Sequence, residues 1–207
     1  MKKIGIMGGT FNPIHNGHLA LAQAAYEFCD LDEVWFMPSG VSYLKSQDDM
    51  VSGLHRLKMT ELAVGDTVHF KCSDMEVCRE GYTYTADTLR LLHEKYPEDM
   101  FYFIMGADSL FGLPQWREPE VIASLCTLVT VVRDDVDAKE LMSQKVYIEK
   151  TFHAKVITVP FQKVDISSSI IRKKLSEGKF VDDLLPEKVL EYIKAHGLYK
   201  EDVYGRP

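Results

Sequence analysis

KIGIMGGTFNPIHNGH, residues 3–18, runs a short apolar segment into paired glycines and then into two histidines. Lys3–Met7 reads as a buried strand. Glycines directly after a first strand let the backbone approach a ligand closely, so Gly8 and Gly9 are candidates for that task. The same pair also reads as a plain tight turn, and these residues alone leave both readings open. Gly17–Cys29 places apolar residues at 19, 21, 22, 25, 26 and 28, which is helical spacing. The start of such a helix presents free N–H groups and a positive dipole end to a phosphate. His15 and His18 share a face there. As metal ligands they would be only two, and no Cys/His cluster elsewhere completes a set. As phosphate donors they need no such cluster. The glycine spacing is neither G-x-G-x-x-G nor G-x-x-x-x-G-K-[ST], which counts against a dinucleotide oxidoreductase and against a P-loop.

Outward from this stretch, short apolar runs alternate with segments of helical period. Glu33–Met37 reads as a second strand, stopped by Pro38. Gly53–Val64 reads as a helix with Leu54, Leu57, Met59, Leu62 and Ala63 as its apolar set. Val68–Cys72 reads as a third strand. Thr85–Tyr96 reads as a helix facing inward through Leu89, Leu91 and Leu92, and Pro97 ends it. Met100–Met105 and Thr127–Val132 are continuous apolar runs, as in strands buried on both faces, and Lys155–Val159 is a short last strand. This alternation predicts an α/β fold: a parallel sheet with helices on both faces, binding ligands at the carboxyl ends of its strands. Ser169–Glu177 and Glu187–His196 read as two terminal helices stopped by Gly178 and Gly197. The expected division is a core over 1–165 and a small C-terminal helical segment over 166–207, packed on it as one unit.

Composition narrows the partners. The chain has 207 residues, with 24 Lys and Arg against 31 Asp and Glu, for a net charge of −7. An acidic chain is a poor general binder of nucleic acid or of anionic membrane. No apolar run is long enough to span a bilayer, and MKKIGIMGG is too short in apolar residues for a secretory signal. The four cysteines, Cys29, Cys72, Cys78 and Cys126, lack C-x-x-C spacing. Buried free thiols in a reducing compartment, hence a cytoplasmic location, are the expectation.

A second anion cradle appears in Ile166-Ser167-Ser168-Ser169-Ile170-Ile171-Arg172, with hydroxyls at a helix start and Arg172 one turn inside. Its plainer reading is a capping serine and a solvated arginine. Here the residues carry a specific resemblance. GGTFNPIHNGH resembles the first signature of the H-x-G-H nucleotidyltransferases, and ISSSIIR resembles their second. Arg79–Leu89 is similar to R-x-G-x-S-Y-T-x-D-T-L, and Phe103–Leu110 followed by Trp116 is similar to F-I-x-G-A-D-x-L with a tryptophan after it. LLPEKVLEYIKAHGLY fits as well. In this order, over nearly the whole chain, they resemble the bacterial nicotinate-nucleotide adenylyltransferases.

The resemblance implies a Rossmann-like nucleotidyltransferase fold and transfer of AMP from ATP to nicotinate mononucleotide, with Mg²⁺ accompanying ATP and no metal site of the protein's own. It implies His15, His18, Lys45 and Arg172 as the groups that stabilise charge. Gly8, Gly9, Thr10, Phe11, Gly106, Asp108, Ile166, Ser167 and Ser168 join His15, His18 and Arg172 around ATP. Thr10, Lys45, Tyr84, Thr85, Asp108, Trp116 and Arg133 are implied around the mononucleotide. Read without the family, Asp108 and Thr85 serve equally as helix N-caps, and Trp116 as a core residue. Two positions depart from the pattern: Asn12 replaces the usual Asp, and Leu44 replaces the histidine of P-P-H-K. The alternatives are a dual-specific enzyme or one that prefers the amide mononucleotide, another transferase sharing the first signature, and a nucleotide-sensing protein on the same fold. Assembly is left open, a homo-oligomer included.

Overall fold

The computed structural model describes residues 1–41, 50–132, 138–161 and 166–200. Its frame is a six-stranded parallel sheet in the order β3-β2-β1-β4-β5-β6. The strands are β1 (Lys3–Gly9), β2 (Glu33–Pro38), β3 (Phe70–Cys72), β4 (Met100–Met105), β5 (Thr127–Val132) and β6 (Lys155–Pro160). The helices are α1 (Asn16–Cys29), α2 (Gly53–Val64), α3 (Thr85–Lys95), α4 (Ala107–Gly112), α5 (Pro119–Leu125), α6 (Ala138–Phe152), α7 (Ser168–Ser176) and α8 (Glu187–Ala195). Strand order reverses between β1 and β4, which pair in parallel from Lys3 with Met100 to Ile6 with Phe103. A crevice opens at the carboxyl ends of strands where the order reverses, because the connections leave to opposite faces.

Both faces are dry, as the continuous apolar runs of β4 and β5 require. One cluster gathers Leu21, Ala25, Phe36, Met59, Ile104 and Val129 with Ile171, Val189 and Ile193 of the C-terminal helices. The other gathers Ile4, Ile6, Leu89, Leu92, Phe103, Leu110, Ile122 and Leu128. α7 and α8 therefore share an apolar core with α1 and α2. Gly178 and Gly197, at φ 67° and 60°, turn the chain at the ends of these two helices.

Several expectations are corrected. β1 runs on through Gly8 and Gly9, which pair with Met37 and Pro38. They extend the strand and the turn begins only at Thr10. Val68 is almost fully exposed and β3 starts at Phe70, since the chain turns back at Thr67. Leu91 is exposed while Leu89 and Leu92 are buried, because only one stripe of α3 meets the sheet. In α2 the buried stripe is Arg56, Met59, Thr60 and Val64, and Leu54 is exposed. α5 and α6 were not anticipated, and α4 only as a helix capped by Asp108. Cys126 is buried and Cys29 and Cys72 are partly covered, but Cys78 is exposed. Among the described residues no helix is long and apolar enough to cross a membrane.

Candidate active site

A cavity of about 540 Å³ sits at the carboxyl ends of β1 and β4. On one side it is lined by Gly8–Asn12, His18, Ser168, Ser169 and Arg172, on the other by Gly106, Asp108 and Trp116. The turn after β1 brings Phe11 to φ 48°, a left-handed conformation that a bulky residue adopts only when its surroundings hold it. A Cβ at Gly9 would lie 2.9 Å from the Phe11 ring, so glycine is required there by packing. The Asn12–Pro13 peptide is cis.

Three carbonyls of this turn each accept a hydrogen bond from a side chain on another element. Arg56 Nη1 donates to Thr10 O at 2.8 Å. Arg172 Nη1 donates to Asn12 O at 2.9 Å, and Ser168 Oγ to Pro13 O at 2.9 Å. Arg56 is 3% exposed, and its Nε also donates to Val51 O. Burial pulls its guanidinium below its ordinary pKa, and the nearby Tyr199 pulls it back up. Arg56 was not anticipated as a site residue. Its trace in the sequence is its place at i with Met59 and Thr60 at i+3 and i+4, the stripe that α2 buries.

α1 starts behind the turn, with His15 at its N-cap. His18 Nδ1 accepts the His15 backbone N–H at 3.2 Å, and the two rings stack. His18 lines the cavity, whereas His15 is 5% exposed and lies beneath it. At the second cradle Ser167 caps α7, its hydroxyl accepting from the Ile170 N–H. Ser168 and Ser169, both members of the expected cradle, line the cavity. Ile166 packs beside Gly17, where an added Cβ would lie 3.6 Å from it. The N-termini of α1 and α7 thus bracket one side of the cavity, and both favour negative charge.

On the opposite side Gly106, not Asp108, is the N-cap of α4, which leaves the exposed Asp108 carboxylate on the cavity wall. It is the one carboxylate among the described lining residues. Trp116 meets the cavity and packs its ring edge-on to Phe103, centroids 6.1 Å apart. Tyr84, not Thr85, is the N-cap of α3, and it supplies no side-chain cap to the first turn. Neither Tyr84 nor Thr85 lines the main cavity. The Tyr84 ring lies 4.4 Å from the guanidinium of Arg117, the residue after the cavity-lining Trp116. The start of α3 is braced by Thr88, which donates to the buried Glu76 and accepts from Arg79. Burial raises the Glu76 pKa, against the pull of Thr88 and Arg79. Lys45 and Arg133 lie outside the described residues, as does Leu44. No cluster of three His, Cys, Asp or Glu able to hold a metal occurs among the described residues.

Residues 6–174 match the cytidylyltransferase-like family. The chain is 44% identical to the "Probable nicotinate-nucleotide adenylyltransferase" of Lachnoclostridium phytofermentans, over 96% of this chain and all of the relative. It is 37% identical to the nicotinate-nucleotide adenylyltransferase of Bacillus subtilis, over 97% of this chain and all of the relative. The chain belongs to the nicotinate-nucleotide adenylyltransferase family. It is a nucleotidyltransferase, and its fold agrees. A Plasmodium falciparum nicotinic acid mononucleotide adenylyltransferase, solved in complex with NaAD, superposes with a TM-score of 0.79 at 23% identity, over 96% of this chain and 98% of that one. A sheet shared at so low an identity speaks for the fold. The signatures of this chain, not the superposition, tie its cavity residues to the family.

Proposed function

We propose that this family member transfers AMP from ATP to nicotinate mononucleotide in the cavity at the β1/β4 switch point. The products are deamido-NAD and pyrophosphate, as in NAD biosynthesis. The observation that carries this reading is the pairing of two helix N-termini, His18 and Arg172 on one cavity wall with Trp116 and Asp108 on the other. One wall suits phosphates, and the other suits an aromatic ring and a ribose.

The acceptor phosphate is largely ionised near neutral pH, its second pKa being about 6. Its oxygen attacks the α-phosphorus of ATP, and the bond from that phosphorus to the bridging oxygen of pyrophosphate breaks. No general base is required. The protein's task is to bring two anions together and to stabilise charge on the leaving pyrophosphate. His18 is the central donor. Its Nδ1 accepts from the backbone, so the neutral ring carries its proton on Nε2. Arg172, the hydroxyls and N–H groups at the start of α7, and the N–H groups of the Gly8–Phe11 segment complete the ATP side. His15 supports His18 from beneath, and Lys45 is assigned to the phosphates through its place in the sequence pattern.

Trp116 offers the stacking surface for the nicotinate ring, with Arg133 assigned to the mononucleotide phosphate. The start of α3 at Tyr84 and Thr85 offers N–H groups to the nicotinate carboxylate. Asp108 takes ribose hydroxyls. Magnesium ion bound to the ATP phosphates would neutralise part of their charge, and it would be held mainly by those phosphates and water. The helical segment from residue 166 supplies Ser168 and Arg172, so it works as part of the catalytic body.

The test is pyrophosphate release with ATP and Mg²⁺, comparing nicotinate mononucleotide with its amide. Release with a strong preference for the acid is expected. Comparable rates would remove the carboxylate role given to Tyr84 and Thr85. No release with either would remove the substrate assignment.

A further inference from the structure

The turn from Thr10 to Pro13 is the floor of the nucleotide cavity, and one of its contacts comes from the far end of the chain. Tyr199 Oη donates to Asn12 Oδ1 at 2.8 Å, across 187 positions. The same oxygen accepts the Val51 N–H at 3.3 Å. Asn12 is 6% exposed, so its side-chain oxygen joins three segments inside the protein: the turn, the approach to α2, and the chain beyond α8. Tyr199 is delivered there by the left-handed turn at Gly197, with the Leu198 N–H bonded back to Ile193 O. It packs against the same apolar cluster as α7 and α8. Tyr199 itself sits at φ 62°, a conformation that a tyrosine keeps only when contacts hold it.

We infer that Tyr199 is a positioning residue for the reaction, fixing the Thr10–Pro13 turn through Asn12 so that the ATP phosphates meet His18 and Arg172 in register. This rests on the function proposed above. The turn carries a strained Phe11, and its carbonyls are already held by Arg56, Arg172 and Ser168. Those three bonds hold the main chain. The Tyr199 bond holds the one side chain at its centre, and so sets how far the turn can rock toward α2. Burial raises the Tyr199 pKa while Arg172 and Arg56 pull it down, and the net effect is upward. The phenol therefore keeps its proton and remains a donor at any working pH. A side chain at position 12 needs only an acceptor oxygen to close this contact, and aspartate provides one as asparagine does.

The alternative is a core tyrosine whose hydroxyl stabilises the fold and nothing else. Kinetics separate the two. Tyr199→Phe removes one hydroxyl and keeps the packing. Loss of one such bond is expected to lower kcat at saturating substrates by about 3- to 10-fold. Melting should shift by only a few degrees. Asn12→Asp keeps the acceptor and should stay within about threefold of wild type, whereas Asn12→Leu should lose at least as much as Tyr199→Phe. In the double variant Asn12→Leu/Tyr199→Phe, kcat should fall no further than with Asn12→Leu alone, because Asn12→Leu already removes the Tyr199 bond. A Tyr199→Phe enzyme with kcat within about twofold of wild type overturns the inference, whatever happens to its melting temperature. Should the wild type release no pyrophosphate with nicotinate mononucleotide, the substrate reading fails and calorimetric titration with Mg-ATP carries this test. There, weakening by about threefold or more in Tyr199→Phe supports the inference, and an unchanged dissociation constant overturns it.

Discussion

The imidazole rings of His15 and His18 stack with centroids 3.7 Å apart and planes inclined by 25°. Stacked at that distance, the two rings are held as one packed unit. His18 is the member on the cavity wall, with Nδ1 already bonded to the His15 backbone N–H. If its Nε2 proton stabilises charge that develops on the leaving pyrophosphate, the loss should fall on turnover and not on ATP binding. His18→Ala should lower kcat by roughly 10²–10³-fold with a much smaller change in the KM for ATP. His15→Ala should cost less, because it removes the support and not the donor. Steady-state kinetics on both variants check the order. A His15→Ala enzyme slower than His18→Ala would reverse the assigned roles.

Arg56 makes a prediction about stability. Its guanidinium is buried, and its bonds run to the carbonyls of Thr10 and Val51. Arg56→Met keeps much of the packing volume but strands those two acceptors. The expected loss is about 2–4 kcal/mol. For a chain of this length each kcal/mol moves the melting temperature by roughly 2–4 °C. Thermal unfolding of the purified variant measures it. Activity should fall as well, since Thr10 O belongs to the floor of the cavity. A variant that melts with wild type would mean that water replaces the guanidinium at both carbonyls.

Glu33 gives a pH-dependent stability far from the cavity. Burial pushes its carboxyl up, but hydrogen bonds from Lys2, Lys71 and Trp35 outweigh this and hold the pKa down at about 2, against 4.5 ordinarily. Its side chain is 13% exposed, with Lys2 Nζ and Lys71 Nζ each 2.7 Å from a carboxylate oxygen. A carboxylate with a depressed folded pKa adds stability above its unfolded value, and that stability drains away as pH falls from about 4.5 toward 2. The full contribution at pH 7 is roughly 2–3 kcal/mol. Glu33→Gln should therefore melt several degrees below wild type at pH 7, and the two curves should converge as the pH nears 2–3. A gap that stays constant with pH would mean that the amide lost packing and not charge. Turnover at pH 7 should be unchanged.

What could be read in the sequence, and what could not, divides along a physical line. β4 and β5 were legible to the residue, because strands buried on both faces are apolar without interruption. Helix α2 was legible in extent but not in orientation. Counting apolar residues placed Leu54 inward, whereas the fold turns Arg56 and Thr60 inward, because the Thr10 carbonyl needs a donor. The helices α4 and α5 span six and seven residues, too short for a period to register. α6 is longer, yet it follows the acidic stretch 134–137, and its polar face masks Leu141 and Ile148. In the site, His18, Ser168 and Arg172 were picked out by helix starts together with the family resemblance, since the ISSSIIR residues alone read equally as a capping serine and a solvated arginine. The contact between Asn12 and Tyr199 was not, since no local pattern encodes a partner 187 positions away.

Trp116 separates the two substrates. Its ring is held by Phe103 from the side and by the turn that places Arg117 against Tyr84. If it stacks on the nicotinate ring, truncation removes contact to the acceptor and leaves the ATP wall of His18, Ser168 and Arg172 intact. Stacking on an aromatic is worth about 1–3 kcal/mol for a nucleobase, and a single pyridine ring belongs at the lower end. Trp116→Ala should raise the KM for nicotinate mononucleotide by roughly 5- to 30-fold, and the KM for ATP by less than about threefold. Trp116→Phe should recover most of the loss, since it restores a flat surface at the same place. Equal increases in both KM values would show that the side chain supports the whole cavity by packing on Phe103, and stacking would then belong to another residue.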